Sequence, residues 1–287
     1  MQKSPLDAYA ILRKRFSEDI KGPLTRAMLT DCFAASLRFI SRVPKTPLLS
    51  LVPNKKYFAF SFKKKLSRAV NADLYSADLS EWESFTQNLV PGKIKGFDAE
   101  RITRLIYTVA MSFCCSVDLL RVGDQKTPGT FFEYLIAHLF ASQLQSNPKT
   151  RIQVMNLDDV EMYLPTDFTF NLGPDRPKFH LPIKTSTRER VIQVWAHQRV
   201  LDGVFGTGRF LGTPVILAET KTNKSSGEVI EICLPEQWRI YQLHIAQLKR
   251  IYYLDVPATY DRLNDVFPPV HVKPFGEFFF EAEALSL

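Results

Sequence analysis

Asp167, Lys184 and Glu133 are the residues whose types and spacing could do chemistry. Asp167 stands in Leu164-Pro165-Thr166-Asp167-Phe168-Thr169-Phe170, and Lys184 follows it by 17 positions, just after the apolar run Lys178 to Ile183. Side chains alternate along a strand, so Asp167 and Thr169 share one face and Phe168 and Phe170 the other. An acid on an otherwise apolar strand is costly unless it faces water or binds a cation. A lysine on the following strand strengthens the cation reading. Phosphodiester hydrolysis needs a hard cation on the phosphoryl oxygen, an activated water and a stabilised leaving oxygen. Mg²⁺ prefers carboxylate oxygens and keeps several waters. Asp167 is expected as its main ligand. Lys184 is expected to orient or activate the attacking water and to offset phosphate charge. Glu133 has Ile136 and Ala137 as one-turn neighbours on a predicted helix, with Phe140 beyond. That sets its carboxylate beside the buried face, as a ligand or a contact to a metal-bound water. The plainer alternative is a first-turn acid favoured by the helix dipole.

The elements that must position these residues follow from periodicity. Residues 6–43 read as two helices broken at Gly22-Pro23, and 80–89 and 98–120 read as two more. Tyr57 to Phe62 is an apolar run followed by Lys63-Lys64-Lys65, a solvated face or a phosphate-contacting loop. A boundary is expected near Pro91-Gly92. It divides a mainly helical N-terminal part, 1–92, suited to DNA binding or dimerisation, from a catalytic and recognition core, 93–287. Thr127-Pro128-Gly129-Thr130 opens a helix over Phe131 to Leu144. Arg151–Met155, Met162–Leu172 and Phe179–Thr185 read as three successive strands, and Val191–Leu201 as a helix. Pro214–Thr220 reads as a buried strand, and Asn223 to Gly227 as a turn with Val229–Leu234 returning. Pro235 favours a helix start, and the pattern Trp238, Tyr241, Ile245, Leu248, Tyr252 carries that helix to Leu254. Its aromatic and aliphatic side suits core packing or a dimer face. Val270–Lys273 reads as a short last strand. Strands flanked by helices predict an α/β fold with a mixed sheet.

The 287 residues are 45% hydrophobic and 23% charged, which excludes a disordered chain. The net charge of +7 suits a polyanionic partner, though many proteins without nucleic-acid partners share it. Cys32, Cys114, Cys115 and Cys233 have no CxxC spacing, so they read as reduced core thiols and not as a zinc site or a disulfide framework. No run reads as approaching the roughly 18 apolar residues of a membrane span. The first residues show no charged-then-apolar targeting pattern. The cytoplasm is the expected compartment, with no membrane partner.

Gly129…Phe132-Glu133, then Asp167, then Lys184 resembles the PD-(D/E)xK nucleases. Lys184-Thr185-Ser186-Thr187-Arg188-Glu189-Arg190, with Gln193 beyond, is similar to the type II restriction endonucleases that read CCGG, CCNGG and related sites. The resemblance covers about residues 125–202. It implies a mixed β-sheet flanked by helices, a catalytic lysine, and an Arg-acid-Arg recognition element at the start of a helix. Two positions depart from the family pattern. The acid expected two residues before the lysine is Pro182. In the related subgroup that acid lies thirteen or fourteen residues after the lysine, where this chain has His197 and Gln198. His197 could bind metal or act as a base, since neutral imidazole does both, or it could be a DNA-facing or core-edge histidine. The second carboxylate is then expected from Glu133, Asp202 or Glu219. Asp202 with Glu219-Thr220-Lys221 forms a rival Asp…Glu-x-Lys set, although Asp202-Gly203 reads as a helix end.

Arg188, Glu189 and Arg190 suit major-groove reading. Arg can bind guanine O6 and N7 together, and Glu accepts from cytosine N4. Gln193 and His197 lie one turn apart, so one helix face could present them with Glu189 and Arg190. A solvated salt-bridging helix start is the bland alternative. The expected activity is Mg²⁺-dependent, sequence-specific cleavage of both strands of double-stranded DNA at a short palindromic C/G-containing site, of the kind a restriction-modification system uses. Two-fold symmetric DNA implies a homodimer, one subunit per half-site. A structure- or damage-specific repair nuclease and a non-catalytic DNA-binding protein are the alternatives.

Overall fold

Pro5 and Pro23 each open a helix, where a missing N–H is harmless. In the computed structural model these are α1 (Pro5–Arg15), closed at its start by a Ser4–Asp7 capping box, and α2 (Pro23–Ile40). The structure describes residues 3–89, 94–157, 160–223, 226–285 and 287, without the side chains of residues 156, 157 and 189. After α2 come strands β1 (Lys45–Leu48), β2 (Tyr57–Phe62), β3 (Lys65–Leu66) and β4 (Val70–Asn71), then α3 (Leu79–Gln87). All three of β1, β3 and β4 pair antiparallel with β2, so the N-terminal part holds a small sheet as well as helices.

Helices α4 (Ala99–Leu120) and α5 (Lys126–Leu144) form the centre. By length and composition α4 could cross a membrane, a run the sequence pattern did not single out, but 89% of its apolar window is buried inside the protein. It is a core helix. One apolar core joins Leu12, Phe33, Phe60 and Phe85 to Phe140, Phe170, Leu181 and Tyr252. That core therefore has members on both sides of the expected boundary near residue 92, which itself lies outside the described residues. Cys32, Cys114 and Cys115 are buried and free, and burial pushes each thiol up.

Two four-stranded sheets follow. β5 (Lys149–Leu157) and β6 (Val160–Phe170) form a long antiparallel hairpin, β6 pairs antiparallel with β7 (Lys178–Leu181), and β7 pairs parallel with β9 (Phe210–Gly212). The second sheet is parallel, in the order β14 (Val272–Pro274), β13 (Ile251–Tyr253), β10 (Val215–Ile216), β8 (Ile183–Lys184). The predicted single strand Phe179–Thr185 is thus two strands in two sheets. Pro182 separates them, because it has no N–H to continue the first ladder. Helix α6 (Ile192–Phe205) packs beside β9, and Gly212 leaves room there for two side-chain ends: a Cβ would come within 2.8 Å of Gln198 Oε1 and 2.6 Å of Leu248 Cδ2, so both would have to shift.

A hairpin of β11 (Thr220–Thr222) and β12 (Val229–Glu231) leads to α7 (Pro235–His244). The predicted helix to Leu254 ends ten residues early and gives way to β13. Gln242 makes the exit: its Oε1 accepts from Leu248 N at 3.1 Å and its Nε2 donates to Leu248 O at 3.2 Å. α8 (Ala258–Asp261) and α9 (Phe278–Leu285) complete the chain. Trp195, Trp238, Tyr253 and Tyr260 form a second core between α6, α7 and the parallel sheet.

Candidate active site

The β6–β7 ladder ends at Phe168↔Leu181, and the next main-chain N–H on the β6 side, that of Ile183, goes to the side-chain carboxylate of Asp167. Its Oδ2 accepts from Ile183 N at 2.7 Å and from Lys184 Nζ at 2.7 Å. Phe168 and Phe170 point into the core as the alternation predicts, which leaves Asp167 facing the seam between the two sheets. Lys184, on β8, is held toward Asp167 by the parallel pairing with β10. The ion pair is partly solvated, with 37% of the Lys184 side chain and 23% of Asp167 exposed.

Glu133 joins them from α5, which packs against β6 and β8. Burial, and then the charge of Asp167, push its carboxyl up to about 7, while the Lys184 ammonium pulls it down. Two carboxylates and a lysine therefore share one electrostatic site. Among the described residues no group of three or more His, Cys, Asp and Glu is placed to hold a metal. A two-carboxylate set still fits Mg²⁺, which takes one or two protein carboxylates and fills the rest of its shell with water and substrate oxygens.

His197 lies at the rim of this site, on α6. Its pKa is lowered, first by burial and then by Lys184, against the opposing charge of Asp167. Its ring centroid is 6.2 Å from that of His180 on β7. Burial pushes His180 down to about 4, and its Nε2 has no hydrogen-bond partner among the described residues. Gln198, the other position where the family pattern places an acid, is a packing residue. It contacts His180 Nδ1 at 3.3 Å, Asp202 Oδ1 at 2.9 Å and Phe210 O at 2.8 Å. Asp202 thus sits within α6, occupied with Gln198. Glu219 is buried while Lys221 is exposed, so the pair does not share one strand face as the rival set requires.

Glu219 follows β10 and spends both carboxylate oxygens on the segment between Lys184 and the Arg-Glu-Arg triplet. It accepts from Ser186 Oγ (3.0 Å), Thr187 N (3.1 Å), Thr187 Oγ1, Arg188 N (3.2 Å) and Tyr253 OH (2.9 Å). Only the Ser-Thr pair ahead of the triplet hints at this arrangement in the sequence, and nothing there marks Tyr253.

The triplet itself is a 3₁₀ turn, Arg188–Arg190, and α6 begins after it at Ile192. The expected single helix face is therefore a turn followed by a helix. Arg190 and Gln193 are exposed; the Glu189 side chain lies outside the described residues. Arg188 has a positive φ of 43°, and its Nη2 donates to Thr220 O at 3.3 Å.

No protein-family profile matches the chain, and no curated protein sequence does. Among solved structures it is similar to the type IIP restriction endonuclease Kpn2I, with 25% identity and a TM-score of 0.80 over 98% of this chain and 95% of that one. A complex of the restriction endonuclease PspGI with substrate DNA gives a looser likeness, with 12% identity and a TM-score of 0.44 over 71% of this chain and 86% of that one. The chain has the mixed α/β restriction-endonuclease fold of Kpn2I.

Proposed function

We propose that this chain is a type II restriction endonuclease of the PD-(D/E)xK superfamily. It hydrolyses phosphodiester bonds in both strands of double-stranded DNA at a short palindromic site containing C·G pairs, and it acts as a homodimer. The observation that carries this reading is the junction of Glu133, Asp167 and Lys184 with the Arg188-Glu189-Arg190 turn, four residues beyond the lysine. The near full-length likeness to Kpn2I supports it.

Asp167 and Glu133 would hold Mg²⁺, which when bound polarises a phosphoryl oxygen and acidifies a water. Glu133 gives up its proton to serve as a ligand. Lys184 Nζ, kept in place by Asp167, supplies positive charge where the phosphate gains negative charge, and it orients the water for attack. His197, whose pKa burial and Lys184 lower, would offer a neutral imidazole to the site. Arg188, Glu189, Arg190 and Gln193 would read base edges in the major groove.

Incubation of plasmid DNA with the protein and Mg²⁺ tests the reading. Discrete fragments are expected. A smear would favour a structure- or damage-specific nuclease. Intact DNA bound by the protein would favour a non-catalytic DNA-binding role.

A further inference from the structure

Three residues, Thr185-Ser186-Thr187, separate the lysine from the Arg-Glu-Arg turn. Every one of them is fastened to a single stretch, residues 217–220. The β8–β10 ladder continues as Leu217 N donating to Lys184 O (3.0 Å) and Ala218 N donating to Thr185 O (3.3 Å). There the main-chain ladder stops, and the Glu219 carboxylate takes over for Ser186, Thr187 and Arg188. Arg188 Nη2 on Thr220 O adds the last tie.

Glu219 is 1% exposed, and its hydrogen-bond partners among the described residues are neutral: two main-chain N–H groups and three hydroxyls. A buried carboxylate needs such donors, and hydrogen bonds to a charged acceptor are the strong ones. They also fix a backbone that would not hold this shape alone. A φ of 43° is disfavoured for arginine and persists only where its surroundings impose it. Tyr253, from β13, donates its hydroxyl to the same oxygen, Oε1, that Thr187 uses.

We propose that Glu219 is a positioning residue that locks Lys184 and the Arg188-Glu189-Arg190 turn into one rigid unit, so that correct base reading places the catalytic lysine. This rests on the restriction-endonuclease reading above. It assigns Glu219 to the coupling of recognition with cleavage and not to the metal, since both its oxygens are already engaged.

Glu219→Gln keeps the shape but turns an amide NH₂ toward groups that themselves donate. Three measurements apply: amide hydrogen exchange in the DNA-free protein, the ratio of kcat/KM between target and single-mismatch DNA, and the half-saturating Mg²⁺ concentration. In the variant, the Thr187 and Arg188 amides should exchange about tenfold faster or more, as for a lost hydrogen bond to a charged group. The Val215 and Tyr252 amides of the parallel sheet should keep their rates. The discrimination ratio should fall by a similar factor, with the Mg²⁺ requirement unchanged. Tyr253→Phe, which leaves the carboxylate in place, should shift both readouts the same way by less, and it decides the matter if Glu219→Gln fails to fold. Unchanged amide protection would overturn the proposal, and so would an unchanged ratio with a raised Mg²⁺ requirement. A wild-type protein that cuts no DNA would sink the nuclease reading, and the exchange rates would still decide whether Glu219 fastens the turn.

Discussion

Lys184 Nζ and the main-chain N of Ile183 converge on the same oxygen, Asp167 Oδ2, each at 2.7 Å. The aspartate thus aims the lysine and fixes the strand that carries it. Substitutions at this pair should separate binding from cleavage.

Lys184→Ala removes the ammonium and leaves Asp167 with its main-chain partner. Target DNA should still bind, and cleavage should fall by about 10²–10⁴-fold, the range for loss of a positioned proton-transfer group. Gel-shift and cleavage assays on one oligonucleotide give both numbers. Cleavage at the wild-type rate would remove Lys184 from the chemistry.

Glu133 titrates in an unusual place. Its carboxyl sits at about 7 in the folded protein against an ordinary value of 4.5. Between these values the folded state holds a proton that the unfolded state has lost, so stability falls as pH rises through that window. Glu133→Gln should therefore be more stable than wild type at pH 8, by roughly 1–2 kcal/mol after solvent screening, and should show no gain at pH 4. Denaturant unfolding at the two pH values measures this. The same variant should lose cleavage, since the proposed Mg²⁺ set then lacks a carboxylate oxygen. An equal difference at both pH values would count against the buried-acid account.

Glu189 is the residue of the turn suited to cytosine. Glu189→Ala should reduce discrimination against a wrong base by about 1–3 kcal/mol. Cleavage of a library of single-mismatch sites reads this directly, and an unchanged mismatch profile would exclude Glu189 from base reading.

Lys55 tests stability away from the site. Its Nζ reaches Glu231 Oε1 (2.7 Å), Asp255 Oδ1 (2.7 Å) and Val256 O (2.8 Å), and only 14% of the side chain is exposed. Lys55→Ala leaves two buried carboxylates facing each other and should cost about 3–5 kcal/mol. Thermal unfolding should register the loss, with mismatch discrimination unaltered at a temperature where the variant stays folded.

Asp167 and Lys184 are legible in the sequence because strand alternation sets which face an acid takes, and the lysine's place ahead of Arg-Glu-Arg is a local pattern. Glu133 is legible because its helix neighbours are apolar. Periodicity misleads at α7. Trp238, Tyr241, Ile245, Leu248 and Tyr252 satisfy helical spacing, yet Ile251–Tyr253 is a buried parallel strand, and spacing alone does not separate the two. The helix ends where Gln242 captures Leu248, a tertiary contact with no local signature. Pro182 likewise reads as a lost acid; its structural effect, the passage of the chain from one sheet to another, depends on which strands pair. Beyond the Ser186-Thr187 pair, the engagement of Glu219 has no sequence signal, because its partners lie at residues 186–188 and 253.

The passage at Pro182 bears on how an inert form of this protein should be made. One carboxylate oxygen of Asp167 closes the joint between the hairpin sheet and the parallel sheet through Ile183 N. An aspartate mutant would therefore be a poor mimic of the resting protein, because it opens a structural joint as well as removing the proposed Mg²⁺ ligand. Lys184 has no such second duty. A faithful, cleavage-dead protein for capturing intact DNA is best built at the lysine.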